Sequence, residues 1–181
     1  MDIYRFLLSG SGGQGIISSA ILLADAGLHE GHNAVQLQSY GPEARGGATR
    51  SDVIISDGTI YYPKVEQPNY LVALTNQAMG KYLPLLRPGG LFLYDCDLVQ
   101  PDLKVDAVRK GLPMFRTIKE KMGTTIAYNI CVLGALIQLT AVVALASVEP
   151  VLAERFGAKY HENNKNALQL GAEIAKPFMD A

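Results

Sequence analysis

Gly10, Gly12 and Gly15 stand at the G-x-G-x-x-G spacing, and Gly13 and Gln14 fill the loop between them. Glycines so placed free backbone amides to approach an anion, and a following helix adds its dipole behind them. A dinucleotide site also needs an Asp or Glu at the end of the next strand, for the ribose hydroxyls. Here that stretch runs Ala34-Val35-Gln36-Leu37-Gln38 and passes into Ser39, with no carboxylate. The loop therefore reads as a place for an anionic group or a backbone partner more strongly than for NAD. The alternative is a tight turn that only packs a helix on a strand.

A second stretch, Ser39-Tyr40-Gly41-Pro42-Glu43-Ala44-Arg45-Gly46-Gly47, sets Glu43 and Arg45 between a rigid turn and a permissive one. It presents one carboxylate and one guanidinium, for a ligand or a partner, or else as a solvated surface pair. The other chemistry-bearing residues are sparser. His29 and His32 are two potential ligands without a third, so a helix-end role is expected over metal binding. His161 reads as surface. Ser18, Ser19, Ser39 and Ser51 have no histidine and carboxylate beside them in sequence, and no residue is assigned a catalytic role. Cys96 and Cys131 are expected to be buried thiols, and two cysteines are too few for a cubane cluster. Tyr61, Tyr62 and Tyr70, around Pro63 and Pro68, suit a subunit contact or ordinary packing.

Elements must hold these loops in place. Ile3 to Leu8 reads as a strand, and a helix follows from Ile16 to near Gly31. Asn33 to Gln38 is a second strand, completing a β-loop-α-β unit whose strands are expected to pair in parallel. Both candidate loops then leave the carboxyl edge of the sheet, where open α/β folds build their sites. Arg50 to Ser56 is a strand, and Asp57-Gly58 has hairpin chemistry leading into Thr59 to Tyr62. Tyr70 to Leu74 is a parallel strand, with a helix from about Gln77 to Leu86. Pro88-Gly89-Gly90 then turns the chain into a strand from Leu91 that ends at Asp95. Val105 to Arg116 is ambiguous, with room for one more strand. Ile126 to Leu139 and Asn163 to Ala175 read as helices, with Ser147 a candidate N-cap between them. The fold class expected is α/β: a Rossmann-like, open, mostly parallel sheet with flanking helices and a helical C-terminal third.

The 181 residues fit a single domain over 1–181, and 49% hydrophobic with 18% charged residues excludes a disordered chain. Eighteen glycines and no tryptophan suit an α/β scaffold rich in tight turns. Sixteen Lys and Arg against 17 Asp and Glu give a net charge of −1, without a basic run, so no nucleic-acid partner is expected. The start, Met1 to Leu8, lacks the pattern of a secretory signal. Met122 to Val148 carries no charge and is long enough to consider as a membrane span. Asn129, Gln138, Thr140 and Gly134 interrupt it, and a buried helix is expected instead. A mean hydropathy of +0.13 suggests that some apolar surface belongs to partners.

With both loops in view, the chain closely resembles the gamma subunit of the 2-oxoacid:ferredoxin oxidoreductases. The resemblance rests on Gly10 to Gly15 and Ser39 to Gly47, and continues through Ser51-Asp52-Val53-Ile54-Ile55-Ser56, Tyr62-Pro63 and Pro88-Gly89-Gly90. Asn129 with Leu133-Gly134-Ala135 fits the family's late helix. The second loop is most similar to the 2-oxoglutarate or branched-chain type. The resemblance implies one part of a cytoplasmic multisubunit enzyme that converts a 2-oxoacid and coenzyme A to acyl-CoA and carbon dioxide. Electrons pass to ferredoxin or flavodoxin. Thiamine diphosphate, Mg2+ and iron–sulfur clusters are expected on alpha and beta partner subunits, or on a delta subunit where one exists. In agreement, the chain lacks the Gly-Asp-Gly start of a thiamine diphosphate site. The role left for it is to wall the active site and help hold coenzyme A or the catalytic subunits. The site residues implied are Gly10, Gly12, Gly13, Gln14, Gly15, Ser39, Tyr40, Gly41, Pro42, Glu43, Arg45, Gly46 and Gly47. A free-standing Rossmann-like protein with NAD or a flavin on the glycine loop is the alternative, followed by a scaffold that touches no ligand.

Overall fold

The computed structural model describes residues 2–38, 47–101 and 104–179. The elements run β1 (Ile3–Gly10), α1 (Ile16–His29), β2 (Asn33–Gln38), β3 (Thr49–Ser56), β4 (Tyr70–Ala73), α2 (Asn76–Tyr82), β5 (Gly90–Asp95), β6 (Ala107–Leu112), α3 (Met114–Met122), α4 (Tyr128–Thr140), α5 (Leu145–Phe156) and α6 (Ala158–Ala175). Six strands form one sheet in the order β2-β3-β1-β4-β5-β6. β1, β4, β5 and β6 are successively parallel, and β3 runs antiparallel to both of its neighbours. The expected mostly parallel α/β sheet is therefore present, with one reversed strand.

Alternate strand residues feed two cores. Phe6, Leu8, Val53, Ile55, Val72 and Leu93 face a layer built from α1, α3, α4, α5 and α6. Leu7, Leu71, Ala73 and Phe92 face the opposite side, where Ala78, Met79 and Tyr82 of α2 cover them. Burial on both faces explains why these strands read as continuous apolar runs.

Three expectations about the strands are corrected. β1 and β2 point the same way but do not pair, because β3 lies between them. Val53, Ile54 and Ile55 are buried and need cover on both faces, which only an interior position provides. The more polar β2, half-exposed along its length, takes the edge. The Asp57-Gly58 hairpin is absent and residues 59–62 are not a strand, since β2 and β1 already occupy both edges of β3. Instead the segment after β3 is clamped to the sheet at Val65. Asp52 accepts the Val65 amide at 3.2 Å, and Arg50 donates to the Val65 carbonyl while pairing with Asp52 at 2.6 and 2.8 Å. Val105 to Arg116 resolves into β6 followed by the start of α3.

Smaller corrections concern side chains and caps. Cys96 is exposed, because β5 ends one residue before it; Cys131 is buried in α4. Ser147 is not a cap: α5 starts at Leu145, and Glu30 accepts the Ala144 amide at 2.6 Å. His161 is half-buried on α6, with its Nδ1 lacking a hydrogen-bond partner. Of the two histidines expected at the helix end, His29 stands in the last turn of α1, whereas His32 lies past it with its Nδ1 2.9 Å from an Asp57 carboxylate oxygen. Among the described residues no group of three or more His, Cys, Asp or Glu is placed to hold a metal.

α4 is apolar on nearly every side and buried. Among the described residues no helix is long and apolar enough to cross a membrane. α4 crosses α6 at two glycines. A Cβ on Gly134 would stand 2.0 Å from the Leu168 carbonyl oxygen, and one on Gly171 would stand 1.9 Å from that of Cys131. The backbones touch there, so no side chain fits.

The carboxylate of Asp95, wholly buried at the end of β5, joins three further segments. It accepts the amide of Asp97 at 3.0 Å, the amide of Phe115 in the first turn of α3 at 2.6 Å, and the hydroxyl of Tyr128 in the first turn of α4 at 2.9 Å. Burial is the larger influence and raises its pKa above the ordinary 3.8, against the lowering effect of these donors.

Gly171→Ala is expected to destabilise the protein by about 2–3 kcal/mol or more in thermal or urea unfolding. Gly80→Ala, exposed in α2 with open space around it, should stabilise by about 0.5–1 kcal/mol. Equal effects at the two sites would refute the helix-contact explanation. For Asp95 the sign follows from its raised value. The folded protein keeps this proton over a pH range in which the unfolded chain has lost it. Its contribution therefore favours folding at low pH and is lost as pH rises from 3.8 through the folded value. The stability difference between wild type and Asp95→Asn should fall as pH increases across that range. A difference that grows with pH would show the opposite shift.

Candidate functional site

The loop between β1 and α1 leaves the carboxyl edge of the sheet beside the start of β3, where Gly10 pairs with Thr49. Its shape is set largely by Gln14. That side chain folds back so that Oε1 accepts the Ser11 amide at 2.7 Å, while Nε2 donates to the Leu74 carbonyl at the exit of β4, at 3.4 Å. Gly10 makes room for this, since a Cβ there would lie 2.5 Å from Gln14 Oε1. Gln14 thus braces the loop from inside.

Gly15 caps α1 in the left-handed region, with φ of 73°. The fingerprint assigns this last glycine to helix–strand packing, but here the close neighbour is another helix. A Cβ on Gly15 would stand 2.7 Å from the side chain of Asn129, in the first turn of α4. Asn129 Nδ2 donates to the Gly15 carbonyl at 3.4 Å, and Ser19 Oγ donates to the Asn129 carbonyl at 3.0 Å. The next residue back, Tyr128, holds Asp95. One turn of α4 therefore links the glycine loop to the end of β5 and the start of α3.

What this leaves open is a set of donors. The first turn of α1 contains no acidic residue and receives no side-chain cap, and its first intrahelical bond runs from the Ser19 amide to Gly15. Among the described residues the amides of Gly12, Gly13, Ile16, Ile17 and Ser18 have no acceptor. Ser11, Gly12 and Gly13 are exposed. Such an array, with a helix dipole behind it, favours an anionic oxygen.

Of the residues expected at the site, Gly10, Gly12, Gly13, Gln14 and Gly15 form this loop. Gly47 is half-exposed, two residues before β3 at the same edge. Ser39, Tyr40, Gly41, Pro42, Glu43, Arg45 and Gly46 lie outside the described residues. Sequence reasoning missed the parts played by Asp95 and Tyr128 and the Arg50–Asp52 clamp. The clamp had a local signal, because residues two apart on a strand share a face. Asp95 and Tyr128 had none. Neither thiol is poised for chemistry: burial chiefly raises Cys131 to about 12, and Cys96 is also raised. The usual dinucleotide arrangement is absent as well. The strand after α1 sits one place further from β1, about 5 Å beyond the position a ribose-binding residue would need.

A family model described as pyruvate ferredoxin/flavodoxin oxidoreductase matches residues 5–174. A 2-oxoglutarate synthase subunit KorC of Methanocaldococcus jannaschii is 44% identical over 172 residues, covering 93% of this chain and 92% of its own. The crystal structure of a keto/oxoacid ferredoxin oxidoreductase gamma subunit from Geobacter sulfurreducens superposes with a TM-score of 0.85 at 40% identity, covering 95% and 98% of the two chains. A 2-oxoglutarate:ferredoxin oxidoreductase from Magnetococcus marinus, with 2-oxoglutarate, coenzyme A and succinyl-CoA bound, gives a TM-score of 0.89 at 25% identity. That match covers all of this chain and 32% of the other. The chain belongs to the pyruvate ferredoxin/flavodoxin oxidoreductase family.

Proposed function

We propose that this chain is the gamma-type subunit of a 2-oxoacid:ferredoxin or flavodoxin oxidoreductase. In this reading its carboxyl edge walls the active site, and the Gly10–Gly15 loop receives an anionic group of coenzyme A. The observation that carries it is the array of amides at Gly12, Gly13 and the first turn of α1 that lack acceptors among the described residues, opening to solvent at Gly12 and Gly13 and with no acidic residue in that turn. Two further facts support it. The M. marinus enzyme holds coenzyme A, and it contains the equivalent of this whole chain within a third of its length. A domain found both as a separate chain and inside a longer one is suited to work against another polypeptide. The relative from M. jannaschii supports 2-oxoglutarate as the substrate class of the assembly.

The chain's contribution is binding and enclosure rather than bond making. Gly12, Gly13 and the first turn of α1 hold the anion, Gln14 and Asn129 fix the loop, and Arg45 with Glu43 completes the wall or meets a neighbouring subunit. Thiamine diphosphate, Mg2+ and iron–sulfur clusters belong to the alpha and beta subunits, or a delta subunit. The described residues do not fit a cluster, with one cysteine buried in α4 and the other exposed after β5. Ferredoxin or flavodoxin meets the assembled enzyme, which is expected in the cytoplasm. A free-standing dinucleotide-binding protein is less well supported, because β3 displaces β2 from β1 and no carboxylate stands at the end of β2.

Gly12 has open space around it, so Gly12→Asp should leave the thermal midpoint unchanged. In the assembled enzyme it should raise the apparent KM for coenzyme A about tenfold or more, by placing a like charge at the anion site. An unchanged KM would remove coenzyme A from this loop. Arg45→Ala should raise the same KM or loosen assembly, and a variant that alters neither would have no part in the site. An isolated chain that stays alone and binds NAD would overturn the whole reading.

A further inference from the structure

At the opposite, amino edge of the sheet lies a groove of about 900 Å³, open to solvent. It is lined by Arg5 and Asn69 from the strand ends, by Lys64 and Glu66 from the segment after β3, and by Leu85 and Arg87 from the segment before β5. The frame is rigid. Asn69 accepts the Arg5 amide at 3.0 Å and returns its own amide to the Arg5 carbonyl at 2.8 Å, while Arg87 donates its amide to Pro68 at 3.1 Å. The Arg50–Asp52 clamp on Val65 pins the segment that carries Lys64.

Three cations, Arg5, Lys64 and Arg87, thus line the groove against one carboxylate, in a chain whose overall charge is −1. None of their side chains forms a hydrogen bond or an ion pair with a described residue. Tyr62, which lines the groove, and Tyr61 beside it in the chain stand 58% and 91% exposed. Arg and Tyr together, with apolar area left in water, are the composition of an interface hot spot. An enclosed cavity would suit a small ligand, but this groove is open and Tyr61 lies beyond its lining.

We infer that this groove is a docking surface for an acidic segment of a partner polypeptide, held by Arg5, Lys64 and Arg87 and covered at the rim by Tyr61 and Tyr62. The inference rests on the reading that the chain works inside a larger assembly. It gives the subunit a second contact, on the edge away from the glycine loop.

Acetylation of Lys64 by acetic anhydride, followed by peptide mass spectrometry, tests this in the full chain alone and in the assembled enzyme. Assembly should slow the modification about tenfold or more, and a carbodiimide should join Lys64 to an Asp or Glu of another subunit. Lys64→Glu with Arg87→Glu, both exposed positions, should weaken retention in the complex about tenfold, whereas Lys64→Arg with Arg87→Lys should not. If Lys64 reacts equally in both states, the docking surface is wrong while the assembly stands. If coenzyme A or inorganic pyrophosphate protects Lys64 in the isolated chain, the groove is a small-anion site and the proposal falls. A chain that joins no other polypeptide overturns this inference and the proposed function together.

Discussion

A single carboxylate without a cation organises the carboxyl edge. Asp95 has left water entirely, and three donors from three different segments offset part of its desolvation. A buried acceptor so placed is costly to leave unmet, so each donor is held where it stands. Phe115 fixes where α3 begins, and Tyr128 fixes where α4 begins. Because Asn129 follows Tyr128, the same turn sets the distance between α4 and the glycine loop. The loop's geometry is thereby referred to the end of β5 rather than to β1 alone. Asp95 also makes Tyr128 harder to ionise, which keeps the phenol a donor, although burial of the ring is the larger cause.

The two edges of the sheet divide the labour of the molecule. At the carboxyl edge, unpaired backbone amides are gathered around a loop whose side chains are turned to bracing it. At the amino edge, Arg5, Lys64 and Arg87 have no side-chain partner among the described residues and stand on a hydrogen-bonded frame around Asn69. Both arrangements need a stiff support. The close crossing of α4 and α6 gives it on one face, and the Arg50–Asp52 hold on Val65 gives it on the other.

Much of this was legible in the sequence where structure is local. The apolar runs of β1, β4 and β5, the helical spacing after Ile16 and the turn at Pro88-Gly89-Gly90 are present as read. So is the buried, uncharged helix around Gly134. Strand neighbours were not legible, because adjacency is decided by which strand must be covered on two faces. β3 wins the interior over β2 through Val53, Ile54 and Ile55. The hairpin at Asp57-Gly58 failed for the same reason, since turn chemistry cannot act when both strand edges are taken. Of the candidate site, the glycine spacing was plain, yet Asn129 and Gly15 are 114 residues apart and meet only in the fold. The identity of the family came from a different source, the two loop sequences taken together.

The order of strands has a consequence for how the chain reaches this state. Of the six strands of this sheet β1 comes first in the chain, and both of its partners arrive much later, β3 from Thr49 and β4 from Tyr70. Until then β1 has two open edges, α1 is the one helix of its cover that has been made, and the face that carries Leu7 is bare. The β1-α1-β2 unit cannot close on itself, because its two strands never touch. β2 and β3, consecutive in the chain, can pair first, but every pairing of β1 is non-local, a topology that slows folding and leaves apolar strand exposed during synthesis.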